Sequence, residues 1–163
     1  MIFLTVGTEF PFDRLVRAVD EMRANLVLTE EVFAQIGDGN YRPCNMHWVR
    51  TMDRPQYDQK MRECSAIIAH AGVGTILSCM ELQKPLLVMP RLQRYKEHIN
   101  DHQLGTVRNF ESLGYMLVAY NTEELFTRVK ELHAFQHRAG RWDSHMMVDC
   151  IKNFLQKCAN QRN

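Results

Sequence analysis

Four short apolar runs, separated by stretches with helical periodicity, limit what this chain can fold into more than any other feature. They are Ile2–Val6, Val32–Ile36, Ala66–Ala69 and Leu86–Met89. Leu86-Leu87-Val88-Met89 and Ala66-Ile67-Ile68-Ala69 show no alternation of apolar and polar residues. Strands of that kind are covered on both faces, which is the condition of a parallel sheet whose crossovers are helices. The intervening segments supply those helices. One starts at about Pro11 with Phe12, Leu15, Val16, Val19 and Met22 on one face, with the proline in its first turn. Others span Pro55–Cys64, Thr75–Gln83 and His98–Glu111. His47–Met52 and Tyr115–Ala119 read as further strands, and Arg91–Glu97 as a polar loop. Asn121 with Glu124 forms a capping box ahead of a helix that carries Leu125, Phe126, Val129 and Leu132. The pattern predicts an α/β fold: a single Rossmann-like parallel sheet with helices on both faces, forming one domain over residues 1–163.

Past Gly140 a final amphipathic helix is expected over about 142–160, with Met147, Cys150, Ile151, Phe154, Leu155 and Cys158 in one stripe. Two readings stand for it, core packing or a surface for a partner chain. A net charge of +1 gives no reason to expect a nucleic-acid partner. The five cysteines are scattered and form no CxxC pair, which argues against a disulfide framework or zinc site and suits a reducing cytoplasm. No apolar run approaches the roughly 20 residues of a membrane span, so the chain is expected to be soluble by itself. His98 and His102 are the close histidine pair best placed for a metal, without an HExxH-type motif around them. No metal site is expected.

The chemistry points to the end of the third apolar run. Ala66–Ala69 leads into His70-Ala71-Gly72-Val73-Gly74-Thr75, a strand–turn–helix junction. Small residues there let backbone N–H groups approach an anion, helped by the helix N-terminus. His70 can donate to a phosphate oxygen, and Thr75 can cap the helix or bond the phosphate. The alternative is a tight turn whose glycines serve only close packing, and spacing alone does not separate the two. The third glycine of the dinucleotide fingerprint is missing, and no P-loop is present.

Taken together, four motifs resemble the C-terminal, donor-binding domain of family 28 glycosyltransferases, half of the GT-B fold. They are Val6-Gly7-Thr8 with Pro11-Phe12-Asp13-Arg14-Leu15; the His70–Thr75 loop; Lys84-Pro85-Leu86-Leu87-Val88-Met89-Pro90-Arg91; and Glu97-His98-Ile99-Asn100-Asp101-His102-Gln103. The likeness runs to about Gly114 and is nearest to stand-alone subunits. These include the eukaryotic catalytic subunit of the dolichol-linked N-acetylglucosaminyltransferase, and bacterial exopolysaccharide or capsule enzymes, which the last motif most resembles.

The resemblance implies a UDP-sugar as substrate, with no cofactor and no metal. It implies a membrane-anchored partner that carries the acceptor-binding domain and a lipid-linked saccharide acceptor, with this chain cytoplasmic and recruited to the inner face of the membrane. The sugar moved would be a hexose, uronic acid or N-acetylhexosamine, with inversion. Gly7 and Thr8 would face the phosphates, and His70, Gly72, Gly74 and Thr75 would surround the diphosphate. Glu97 and His98 would hold sugar hydroxyls, supported by Asp101 and Gln103. Ser78 stands where many relatives place a ribose-binding glutamate. A serine cannot clasp two hydroxyls as a carboxylate does. The base for the acceptor is His98 or Asp101 here, or a group on the partner. Arg91, Arg94 and Lys96 make the following loop basic. It is either a solvated loop or a site where Arg91 binds the carboxylate of a uronic acid donor. A non-catalytic nucleotide-sugar-binding or enhancer subunit is the competing function.

Overall fold

The computed structural model describes residues 1–136. The terminal helix expected over about 142–160 lies outside the described residues. Strands β1 (Ile2–Thr5), β2 (Val32–Gln35), β3 (His47–Val49), β4 (Ala66–His70), β5 (Leu86–Met89) and β6 (Leu117–Val118) form one sheet. Every pairing is parallel, and the order is β3-β2-β1-β4-β5-β6. This is the doubly wound order. The chain starts in the middle of the sheet, winds outward through β2 and β3, then returns to place β4 on the other side of β1.

Helices α1 (Asp13–Ala24) and α5 (Thr122–Arg128) cover one face. Leu15, Val16, Val19 and Met22 of α1 and Leu125 of α5 are buried against Ile2, Leu4, Ala34 and Ile68. Helices α2 (Arg54–Glu63), α3 (Val73–Glu81) and α4 (His102–Ser112) cover the other. There Met61, Ile76, Cys79, Val107 and Phe110 meet Phe3, Ile67, Leu86 and Val88. Neighbouring residues of β1 and β4 therefore enter opposite cores, which explains their unbroken apolar runs.

Several boundaries differ from the sequence reading, among them β3, which ends at Val49, and β6, which is only Leu117–Val118. Helix α1 takes Phe12 as its N-cap, so Pro11 sits before the helix and not in its first turn. Helix α3 begins at Val73 with Gly72 as N-cap, so Thr75 lies inside the first turn and caps nothing. Helix α4 starts at His102, and residues 98–101 are bends that carry the approach to it.

The Asn121 half of the capping box is present, while Glu124 bonds the residue before the N-cap. The Glu124 N–H donates to Asn121 Oδ1 at 2.8 Å, and the Glu124 carboxylate accepts from the Tyr120 N–H at 2.8 Å. Asn121→Ala is expected to destabilise the domain by about 1 kcal/mol, read as a lower urea midpoint with an unchanged slope.

Candidate functional site

Because the chain leaves β1 toward one edge of the sheet and β4 toward the other, a crevice opens between the carboxyl ends of these two neighbours. In an open α/β sheet this is where ligands bind. Gly7 and Thr8 follow β1, and the glycine loop follows β4. The crevice has two lobes that share Gly7, Thr8, Gly74 and Thr75. The first, about 450 Å³, adds Gln35, Met52, Arg54, Tyr57 and Ser78. The second, about 430 Å³, adds Glu9, His70, Gly72, Arg91, His98, His102 and Gln103.

The glycines divide into two kinds. A Cβ on Gly72 would lie 2.3 Å from His70 Nε2, and one on Gly7 would lie 2.9 Å from His70 Cε1. Gly7 also has φ +72°, which side chains disfavour. These two glycines make room for the imidazole. Gly74 has no protein atom within 4 Å of its missing Cβ. Close helix–strand packing therefore does not explain it, although glycine in a helix costs about 1 kcal/mol relative to alanine.

The His70 ring is partly exposed to the crevice, while its Nδ1 is buried and unpartnered. Burial, then the charge of Arg91, lowers its pKa from 6.5 to about 4. The ring is thus neutral at physiological pH, a hydrogen-bonding group and not a cation. As pH falls from 6.5 towards 4, the unfolded chain takes up a proton that the folded state resists. The contribution of His70 to stability is therefore complete above pH 6.5 and declines through that window. The urea midpoint is expected to fall between pH 7 and pH 5, and to fall less in His70→Gln. An equal fall in both proteins would remove His70 as the cause.

Arg91 is not part of a solvated loop. It is only 2% exposed. Its Nη2 donates to the carbonyls of Val6, at 2.6 Å, and Phe10, while its backbone N–H donates to Gln103 Oε1 at 3.0 Å. Arg91 thereby ties the β5 end to the loop after β1, and Gln103 anchors the start of α4 to the same point.

Glu97, expected to hold sugar hydroxyls, lines neither lobe. Its carboxylate accepts two bonds from Arg14, Nε to Oε1 and Nη2 to Oε2, each at 2.7 Å. A third, from the Leu92 N–H, measures 3.0 Å. Asp13, beside Arg14 in the chain, accepts from the Asn40 N–H at 2.9 Å. Asp101 is exposed and accepts from the Gln93 N–H at 2.7 Å. It lies outside both lobes, since its carboxylate fixes the loop before α4. His98 does line the second lobe, between the rings of Phe10 (4.8 Å) and His102 (4.5 Å). Burial, then the neighbouring His102 and Arg91, lowers its pKa. A neutral imidazole in that position is able to accept a proton.

The first lobe contains residues that the sequence reading did not single out. Gln35 is buried at the end of β2, and its Oε1 accepts from Thr5 Oγ1 at 3.2 Å. Burial raises the pKa of Tyr57. Arg54 reaches Asp58 at 2.8 Å from the helix surface. Ser78 faces this lobe, one helical turn on from the loop. Knowledge of the strand order was needed to find Gln35, because β2 adjoins β1 only in space. Among the described residues no three His, Cys, Asp or Glu side chains gather in a way that would hold a metal ion.

The profile of the glycosyltransferase family 28 C-terminal domain matches residues 1–161. The chain belongs to this family. Among family relatives, the UDP-N-acetylglucosamine transferase subunit ALG13 of Candida albicans is 37% identical over 59 residues, which is 36% of this chain and 18% of that protein. The fold recurs in the solution structure of ALG13, with a TM-score of 0.59 at 18% identity over 86% of this chain and 90% of that one. It recurs in the glycosyltransferase SnogD from Streptomyces nogalater, with a TM-score of 0.57 at 20% identity. The glycosyltransferase of kitacinnamycin gives 0.61 at 19%. This chain spans 34% of the length of each of the last two, covering 80% and 82% of itself. The family 28 C-terminal domain is thus seen here as a single parallel six-stranded sheet, the Rossmann-like half of a GT-B glycosyltransferase.

Proposed function

We propose that this chain is the donor-binding subunit of a two-component glycosyltransferase, holding a UDP-sugar across the β1/β4 crevice. One observation carries the reading: two lobes of different chemistry meet at the amino end of α3. The first, with Tyr57, Met52, the Gln35 amide and Ser78, suits a nucleoside. The second, with His70, Arg91, His98 and Gln103, suits a diphosphate and its sugar. Gly7, Thr8, Gly74 and Thr75 lie between them, where backbone N–H groups and the helix dipole favour the phosphates. The name of the Candida relative supports an N-acetylglucosamine donor. A uronic acid donor gains no particular support from Arg91, whose Nη2 donates to two backbone carbonyls.

In the reaction proposed, an acceptor hydroxyl oxygen attacks the anomeric carbon as the bond to the β-phosphate oxygen breaks. UDP departs, the configuration inverts, and the hydroxyl proton passes to a base. His98 is the candidate in this chain, and a group on the partner is the alternative. The acceptor is a lipid-linked saccharide bound by a membrane-anchored partner, which recruits this chain to the cytoplasmic face. No described helix is long and apolar enough to cross a membrane. A setting in exopolysaccharide or capsule synthesis rests on the motif resemblance alone.

Calorimetry with UDP, UDP-N-acetylglucosamine, UDP-glucuronate and NAD tests the donor. UDP and UDP-N-acetylglucosamine are expected to bind, and NAD binding in their place would sink the reading. With the partner present, turnover retained in His98→Ala places the base on the partner. Wild-type donor binding without turnover on any lipid-linked acceptor favours the non-catalytic subunit.

A further inference from the structure

Two buried side-chain nitrogens among the described residues have no hydrogen-bond partner, His70 Nδ1 and Arg91 Nε. Both belong to residues that line the second lobe. Unsatisfied buried donors are rare in folded proteins, and a specific one calls for an explanation. Arg91 is the more costly of the two because it carries a charge. Its acceptors are backbone carbonyls, and among the described residues it forms no ion pair. The carboxylate nearest in the chain, Glu97, is committed to Arg14. The Phe12 ring lies 5.3 Å from the guanidinium carbon. Glu97 and Glu9 act on the Arg91 charge without touching it, and a buried guanidinium with no anion in contact is destabilising unless one completes it.

We propose that Arg91 is the fixed counter-charge for the donor diphosphate: a permanent cation in the second lobe that a bound phosphate group neutralises. This rests on the reading of the crevice as a nucleotide-sugar site and assigns its charge balance to one residue. The neutral state of His70 leaves the imidazole as a hydrogen-bonding group, so the positive charge must come from elsewhere. Arg91 provides it at every physiological pH, in a place where water screens it little. The same guanidinium grips Val6 and Phe10 on either side of Gly7, Thr8 and Glu9. The charge and the loop that contacts the ligand are thus fixed by a single side chain. Glu97 first, and then Glu9, exposed at the rim of the lobe, partly offset the charge.

The test compares uridine, UDP and inorganic pyrophosphate by calorimetry on the full chain. Arg91→Met is expected to weaken UDP and pyrophosphate by about 30-fold or more while uridine changes less than about twofold. Arg91→Lys, which keeps the charge, is expected to retain most pyrophosphate affinity. Equal losses for uridine and UDP would show a purely structural arginine and overturn the proposal, as would unchanged pyrophosphate binding. If the wild type binds pyrophosphate but not uridine or UDP, the nucleotide reading fails while the charge assignment stands. A wild type that binds no pyrophosphate overturns the assignment. Should Arg91→Met not fold, the Arg91 Nε–H resonance, identified by its absence from Arg91→Lys, decides the matter. It must shift when pyrophosphate is added to the wild type, and a resonance that stays in place overturns the proposal.

Discussion

Gly72→Ala is expected to remove about 99% of UDP affinity while the melting temperature moves by no more than about 3 °C, a loss of ~2.7 kcal/mol in binding. Gly72 has φ −82° and ψ 127°, an extended conformation that alanine adopts without strain. The damage comes from its neighbour. The added Cβ would lie 2.3 Å from His70 Nε2 and 3.0 Å from Cε1. The ring has no retreat towards Gly7, against which it already packs. It must therefore swing outward into the space between the lobes, where the diphosphate is proposed to lie. Adding His70→Ala removes the obstruction at the expense of the imidazole. The double variant is expected to bind UDP better than Gly72→Ala alone, a non-additivity that marks direct coupling. Wild-type UDP affinity in Gly72→Ala would dissociate this loop from the ligand.

The second large effect concerns stability. Glu97→Ala is expected to lower the melting temperature by roughly 6–12 °C, from a loss of about 3 kcal/mol. The Arg14–Glu97 pair is bidentate and mostly buried, with side-chain exposures of 18% and 9%. Arg14 also donates to the Pro90 carbonyl at 3.2 Å, so one pair joins the start of α1 to the loop after β5. Removing the carboxylate strands the guanidinium and the Leu92 N–H together. Replacing both partners, as Arg14→Met with Glu97→Leu, is expected to recover much of the loss, because packed apolar groups carry no desolvation penalty. The sugar-binding role first read for Glu97 predicts a different outcome. UDP-sugar affinity would fall with UDP affinity unchanged, and melting would barely move. Thermal scans beside calorimetry on Glu97→Ala separate the two.

The parallel sheet was legible because its evidence is local. Ala66–Ala69 and Leu86–Met89 are apolar on both faces, and only burial between two helical layers accommodates that. The Asn121–Glu124 box was legible for the same reason, since all its partners lie within four residues. The loop chemistry was half legible: His70, Gly72 and Thr75 sit in one short motif, so their proximity needed no fold. The partners of Glu97 and Asp101, which are Arg14 and Gln93, were not legible as partners. Arg14 is 83 residues away in the chain, and nothing in the local pattern shows which of several carboxylates a guanidinium will choose. Gln35 and Tyr57 escaped because their relevance depends on β2 lying beside β1 and on where α2 begins.

The pairing of β1 with β4 places residue 2 against residue 66, and the crevice does not exist until that contact forms. Pairings so distant in sequence are the slow ones, since the chain between must be closed before any contact rewards it. On a ribosome, β1 emerges long before its neighbour is made, and the first strand waits with one edge open. A nucleotide that bridges Gly7 and Gly74 would then fasten the step that completes the domain. With such a ligand, its supply during synthesis would set how much chain reaches the native state, because whatever binds only the folded form draws the equilibrium towards it.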